Sequence, residues 1–201
     1  MFTRNKLILS VATAGIMMYG SSAFAEVNHA VGPFGSGKVT FTGTITNSPC
    51  DIVSGDDDLT VKFGQISYRK LKEADATSDA KPVTIHLRNC SFDANTENKP
   101  GSAGKMSLVS VSFQGTAASG DKAYANTPGA GMATGVGVQL LDSSMAALTP
   151  SVLASTGTTP QQLQAGDNQI NLFARLINLG AEDSVTAGDI QTAITYTLTY
   201  K

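Results

Sequence analysis

Histidine and cysteine are both scarce in this chain of 201 residues, two of each. That scarcity leaves little material for nucleophilic, acid–base or metal chemistry. His29 lies in a glycine-rich leader, and His86 lies in an alternating segment where a packed or surface role suits it better than that of a base. The sequence has no Gly-x-Ser-x-Gly elbow, no His-Glu-x-x-His pair and no phosphate-binding loop. Asp56-Asp57-Asp58 lacks the spaced oxygen ligands of a calcium loop and reads as a solvated turn. Gly129-Ala130-Gly131 and Gly135-Val136-Gly137 have no strand–helix–strand context, so they do not form a dinucleotide fingerprint. The expectation is a protein that is no enzyme and holds no cofactor or metal.

Long apolar runs are missing after the first 25 residues. Within those 25, Arg4 and Lys6 precede an apolar stretch at 7–18 and then Ala23-Phe24-Ala25, the three zones of a secretory signal with cleavage expected before Glu26. The apolar core is too short, and too interrupted by Gly and Ser, to span a bilayer of about 30 Å. Removal of residues 1–25 leaves 176, enough for one domain with a sizeable core. It also leaves 12 of the 14 Lys and Arg against 16 Asp and Glu, a formal charge of −4. An excess of positive charge is therefore absent, which argues against nucleic acid as the main partner. In an exported chain with two cysteines, Cys50 and Cys90, an intradomain disulfide is the natural reading. It would close a loop of about 41 residues and stabilise the fold by roughly 4 kcal/mol in the chain-entropy model. Two free thiols or a metal pair are the alternatives, and a two-thiol metal site lacks companion ligands.

Sustained helical periodicity is also missing; residues 68–76 have room for one or two turns. What is present is a series of short alternating segments, at 59–66, 83–90, 105–113, 136–141, 169–177 and 190–200. Turn-rich stretches at 93–104, 115–135 and 149–168 separate them. Several strands joined by polar loops predict an all-β sandwich.

Two of the alternating segments have no obvious partner. At the C-terminus Ile194, Tyr196, Leu198 and Tyr200 point to one face and Thr195, Thr197 and Thr199 to the other. With no following segment to pair with it, its outer edge is expected to be open to another protein. Near the other end, Val39, Phe41, Gly43 and Ile45 alternate with Lys38, Thr40, Thr42, Thr44 and Thr46, behind a leader at 26–37 that contains three glycines and a proline. Periodicity alone allows this second strand to be either the first strand of the sandwich or a donor to another molecule.

The run Gly37-Lys38-Val39-Thr40-Phe41-Thr42-Gly43-Thr44-Ile45-Thr46-Asn47-Ser48-Pro49-Cys50 resembles the donor strand and first cysteine of chaperone–usher pilins, the subunits of type 1 and P pili. The glycine seven residues before the cysteine recurs in those subunits. Further matches follow in order: Leu59-Thr60-Val61-Lys62-Phe63-Gly64, Pro82-Val83-Thr84-Ile85-His86-Leu87-Arg88-Asn89-Cys90, and Gly135-Val136-Gly137-Val138-Gln139-Leu140. Gly188 as fourteenth residue from the end and Tyr200 as penultimate residue complete the resemblance, which spans the chain beyond the signal.

The resemblance implies an incomplete immunoglobulin-like sandwich that lacks its final strand, with residues 26–46 as a donor-strand extension and 47–201 as the pilin domain. It implies a structural subunit of a bacterial surface fimbria that contributes to cell adhesion, either a shaft pilin or a minor adaptor or terminator. Its partners would be a periplasmic pilus chaperone, an outer-membrane usher and neighbouring pilins in a head-to-tail polymer. Val39, Phe41 and Ile45 would enter a neighbour's groove, with Gly43 where the groove is narrow. Ile194, Tyr196, Leu198 and Tyr200 would form a groove wall and the chaperone's pairing edge, and the Lys201 carboxylate would meet a basic anchor. A receptor-binding adhesin would need a further lectin domain, for which 176 residues leave no room. A self-contained exported chaperone or carrier would have no use for the strand at 39–45.

Overall fold

The computed structural model describes residues 37–93 and 104–201. The signal at 1–25, His29 and most of the leader lie outside the described residues. The chain divides into two units, Met1–Ile45 and Thr46–Lys201.

The second unit is the predicted all-β sandwich. One sheet has five strands in the order β1-β2-β7-β5-β4, formed by Asp51–Ile52, Lys81–Cys90, Gly166–Asn178, Val136–Leu141 and Tyr124–Ala125 respectively. The other has three, in the order β6-β3-β8, formed by Gln161–Gln162, Leu108–Gln114 and Thr195–Tyr200. All pairings within these sheets are antiparallel. Alternation along β2 and β7 turns Ile85, Leu87, Ile170, Leu172, Ala174 and Leu176 inward, where they meet Val109, Val111 and Phe113 of β3.

Cys50 and Cys90 are disulfide-bonded. The bridge ties the chain just before β1 to the end of β2, its pairing neighbour. Both cysteines are buried in the core cluster, so the bridge is part of the packing as well as a loop closure.

The long ladder strands lie where alternation predicts them, and several short elements do not. β5 coincides with its expected segment, and β2, β3 and β7 differ from theirs by a few residues. The expected turn at 68–76 is a 3₁₀ turn at Tyr68–Leu71. Helix α1, Pro150–Ser155, lies inside a stretch expected to be loop; Thr149 precedes it and Pro150 opens it, a recognisable start signal. β1, β4 and β6 are two residues each, too short for alternation to register.

Two differences matter more. The segment 59–66, expected as a strand, belongs to no strand: Val61 and Phe63 keep the alternation and are half-buried, but Gly64 has a φ of 75° and Ile66 packs on the core one residue out of phase. The C-terminal strand begins at Thr195 rather than near residue 190. Residues 189–191 are instead held by the loop at 126–133: Asp189 exchanges backbone bonds with Gly131 and Ala133, and Thr127 N–H donates to the Gln191 carbonyl.

Candidate functional site

The segment 59–66 and strand β8 form the two walls of an open groove. Its first stretch, a cavity of about 730 Å³, runs between 60–68 on one side and 185–190 on the other, over Leu71, Ala133, Val136 and Leu176. The second, about 540 Å³, continues between 58–63 and 190–196, over Val83, Ile85, Phe113, Val138, Leu140 and Ala174. The third, about 620 Å³, ends between Asp57, Asp58 and Leu59 and the residues from Ile194 to Tyr200, close to Cys50. The first two stretches share Thr60, Val61, Phe63 and Ile190, and the second and third share Asp58, Leu59, Ile194 and Tyr196, so the three are continuous. The floor is the hydrophobic core itself.

Residues 59–66 on one wall and β8 on the other present unpaired backbone, whereas 186–191 is bonded to the loop at 127–134. Leu108 and Lys201 exchange both backbone hydrogen bonds, at 3.0 and 2.8 Å, which fixes the phase of the β3–β8 ladder. The pairs Ser110–Thr199, Ser112–Thr197 and Gln114–Thr195 are then the hydrogen-bonded ones. The N–H and C=O groups of Tyr196, Leu198 and Tyr200 consequently face away from β3, toward the groove, and among the described residues no strand meets them. On the opposite wall, no backbone–backbone hydrogen bond among the described residues engages 59–66. Backbone donors and acceptors beside an apolar floor call for a partner. One added strand would pair with both walls and cover the floor.

Ile194, Tyr196, Leu198 and Tyr200 are each partly buried and packed on the core, while Thr195, Thr197 and Thr199 are exposed. The Tyr196 hydroxyl crosses to the opposite wall and donates to the Asp56 carbonyl at 2.8 Å. Burial raises the Tyr196 pKa, and the Asp56 and Asp57 carboxylates raise it further. Burial also raises the pKa of Tyr200. Its hydroxyl is the one buried side-chain polar atom among the described residues without a hydrogen-bond partner. Ser48 nearby offsets part of that rise; its hydroxyl donates to the Cys50 carbonyl and accepts from the Cys50 N–H.

Asp56 has a second role. Its carboxylate accepts from the His86 backbone N–H at 2.6 Å and meets His86 Nδ1 at 2.8 Å, anchoring the turn at Asp56–Asp58 to β2. His86 is thus a half-exposed structural partner.

At the other end, Asn178 holds both walls. This wholly buried side chain donates from Nδ2 to the carbonyls of Leu71 and Glu73, behind the first wall, and to that of Ala181, ahead of the second. Its Oδ1 accepts from Gly180 N–H and Ser184 Oγ. Sequence reading did not single out Asn178; a lone polar residue closing the apolar run of β7 was the available signal. Gly188 lies where the second wall passes the loop at 131–133. A Cβ there would stand 2.4 Å from the Ala133 nitrogen, so only glycine permits the approach.

The described part of the first unit, residues 37–45, contains no strand. Val39, Phe41 and Ile45 are 74, 90 and 102 % exposed, and nothing lies within 4 Å of a Cβ built on Gly43. Three large apolar side chains at alternate positions are left in solvent.

Comparison with known proteins agrees with this architecture. The fimbrial protein family model matches residues 39–201. The A chain of the type-1 fimbrial protein of Escherichia coli K12 is 31 % identical over 201 residues, covering 98 % of either chain. Long polar fimbria protein A of Salmonella typhimurium is 27 % identical over all of this chain and 99 % of its own. Among solved structures, a chaperone–usher pilus studied for rod uncoiling superimposes with a TM-score of 0.68 at 27 % identity, covering 84 % of this chain and 98 % of the other. The P pilus rod subunit PapA shares the fold, with a TM-score of 0.59 at 22 % identity over 77 % of this chain and all of PapA. An all-β sandwich with an open groove between two walls, matched by the family model from Val39 to Lys201, makes this chain a member of the fimbrial protein family, a chaperone–usher pilin similar to the type-1 fimbrial subunit.

Proposed function

We infer that this protein is a structural subunit of a bacterial surface fimbria that polymerises head to tail, the groove of one copy taking the segment 37–46 of the next. Fimbrial proteins are exported and built into surface fibres, and their contribution to the cell is adhesion. The observation that carries the donor-strand reading is a pairing of opposites: a groove with unpaired backbone at 59–66 and along β8, and an alternating segment whose apolar residues are unburied. Strand addition joins them through main-chain hydrogen bonds, with alternate side chains entering the pockets. Burial of Val39, Phe41 and Ile45 would contribute roughly 1.5–3 kcal/mol each before ordering costs. The contact is not self-complementary, so it propagates as a fibre.

Before assembly the same groove would take a strand lent by a periplasmic chaperone, with β8 as its pairing edge and the Lys201 carboxylate as its anchor point. Exchange for the segment of the incoming subunit would occur at an outer-membrane usher. In this reading residues 26–46 are an extension and 47–201 the domain that receives it.

Deletion of residues 26–46 behind an intact signal tests this. The truncated chain should accumulate in the periplasm bound to its chaperone, accept a donor strand, and fail to donate one. Failure to accumulate would instead mean that 39–45 completes its own domain, and unimpaired polymerisation would refute both views. Purification and electron microscopy of sheared fibres read the outcome.

A further inference from the structure

The donor-strand reading rests on shape and alternation, and charge adds to both. From Val39 to Ile45 an extended strand covers six steps of about 3.3 Å, roughly 20 Å. The stretch of groove lined by Ile190 through Tyr200 is longer. Because threonines and apolar residues alternate along the segment, a slip of two residues keeps every apolar side chain inward. Length and alternation alone therefore permit several registers, among which the place of Gly43 already selects.

The groove is electrostatically uneven. At its third stretch the wall carries Asp57 and Asp58, both exposed. Among the described residues neither pairs with a cation: Asp57 accepts only from the Gly55 N–H, and Asp56 beside them is engaged with His86. At the first stretch the wall carries Lys62, with Asp189 across from it. Lys81 and the Lys70–Asp79 pair flank the side pocket beyond. One end of the groove is acidic and the other mixed to basic. Between Gly37 and Cys50 the chain has a single charge, Lys38, next to the first apolar residue of the segment.

We propose that Lys38 of one copy pairs with Asp57 and Asp58 of the next, and that this match adds an electrostatic clamp at that end of the inserted strand. The inference rests on the donor-strand reading above. Val39 then lies at the third stretch of the groove, beside Tyr196 to Tyr200, and Ile45 lies toward the first, between 60–68 and 185–190. A slip of two residues in either direction moves the ammonium group about 7 Å from its register and leaves two carboxylates without a partner. A rim pair of this kind acts more on encounter rate and specificity than on final affinity.

Fibre yield, with each variant as the sole copy of this chain in its native cell, tests the pairing. Lys38→Glu should lower the early yield about fivefold or more, and adding Asp57→Lys and Asp58→Lys should restore most of it. Lys38→Glu fibres at the normal rate overturn the proposal, as does failure of the charge-swapped chain to recover while it accumulates normally. Should the lysine replacements prevent accumulation, the isosteric Asp57→Asn, Asp58→Asn chain replaces them. Lys38→Gln should then cost yield in the parent and almost nothing in that background, and equal losses in both overturn the pairing. Stable monomers of the unaltered chain, unable to polymerise, would show that the segment occupies its own groove and overturn the pairing as well. Gly43→Arg distinguishes the two levels. If it blocks fibres while Lys38→Glu does not, only the charge pairing fails; if it assembles normally, the donor-strand reading fails with it.

Discussion

The segment at 37–45 and strand β8 carry the same pattern to opposite ends. Each alternates threonine with large apolar residues, and each has one edge or more to offer. β8 is laddered to β3 along one edge, and Val109, Val111 and Phe113 stand opposite Tyr200, Leu198 and Tyr196, so its apolar face is half-buried. The N-terminal segment has no ladder, and its apolar face is in solvent. Period-2 alternation encodes the ability to be a strand. Whether a segment is one depends on a neighbour with a free edge, and among the described residues the free edge of β8 meets no strand.

The largest way to break the comparison is to remove β8. Loss of residues 196–201 removes one groove wall and the cover over Phe113, so the subunit should not accumulate, whereas the deletion of 26–46 spares the fold. Equal periplasmic amounts of the two truncated chains, measured by immunoblot and chaperone copurification, would erase the distinction drawn here.

A subtler test leaves both segments in place. Gly43 has open space around it in the free segment, so Gly43→Arg should leave folding and thermal stability unchanged. Fibre formation should nevertheless fall below detection, because a long charged side chain does not enter an apolar groove. A shift of several degrees in the melting temperature would show that the segment already packs within its own subunit.

The smallest effect concerns pH. Burial pushes the Tyr124 hydroxyl, which donates to the Phe113 carbonyl, up to about 12, with Asp121 adding to the shift. Tyr196 and Tyr200 are raised too, while the segment 37–45 contains no tyrosine. A raised folded-state pKa means that stability is intact below about 10 and is lost as pH climbs toward 12, since the unfolded chain releases its protons first. Chemical denaturation across that range should show the decline, Tyr124→Phe should flatten it, and deletion of 26–46 should not alter it. A flat profile in the parent chain would contradict the burial argument.

Much of this was legible in the residues. Ladder strands announce themselves where one face is buried and the other is wet, which is why β2, β3, β7 and β8 were visible. Two cysteines in an exported chain pointed to one bridge, and the structure has it. Residues 59–66 show where that logic stops. Alternation there holds only through Val61 and Phe63 before the positive φ of Gly64 shifts Ile66 out of phase, and pairing requires a second strand, which does not reach the segment among the described residues.

Residue order by itself determined the all-β class, the pairing of Cys50 with Cys90 and the two alternating ends, because each depends on local period, composition or parity. Tertiary structure decided what no local pattern carries: that 59–66 and β8 face each other across a groove floored by core side chains, that Tyr196 reaches Asp56 between them, and that Asn178 holds both walls. These contacts join residues far apart in the chain, and their geometry exists only once the two sheets have packed.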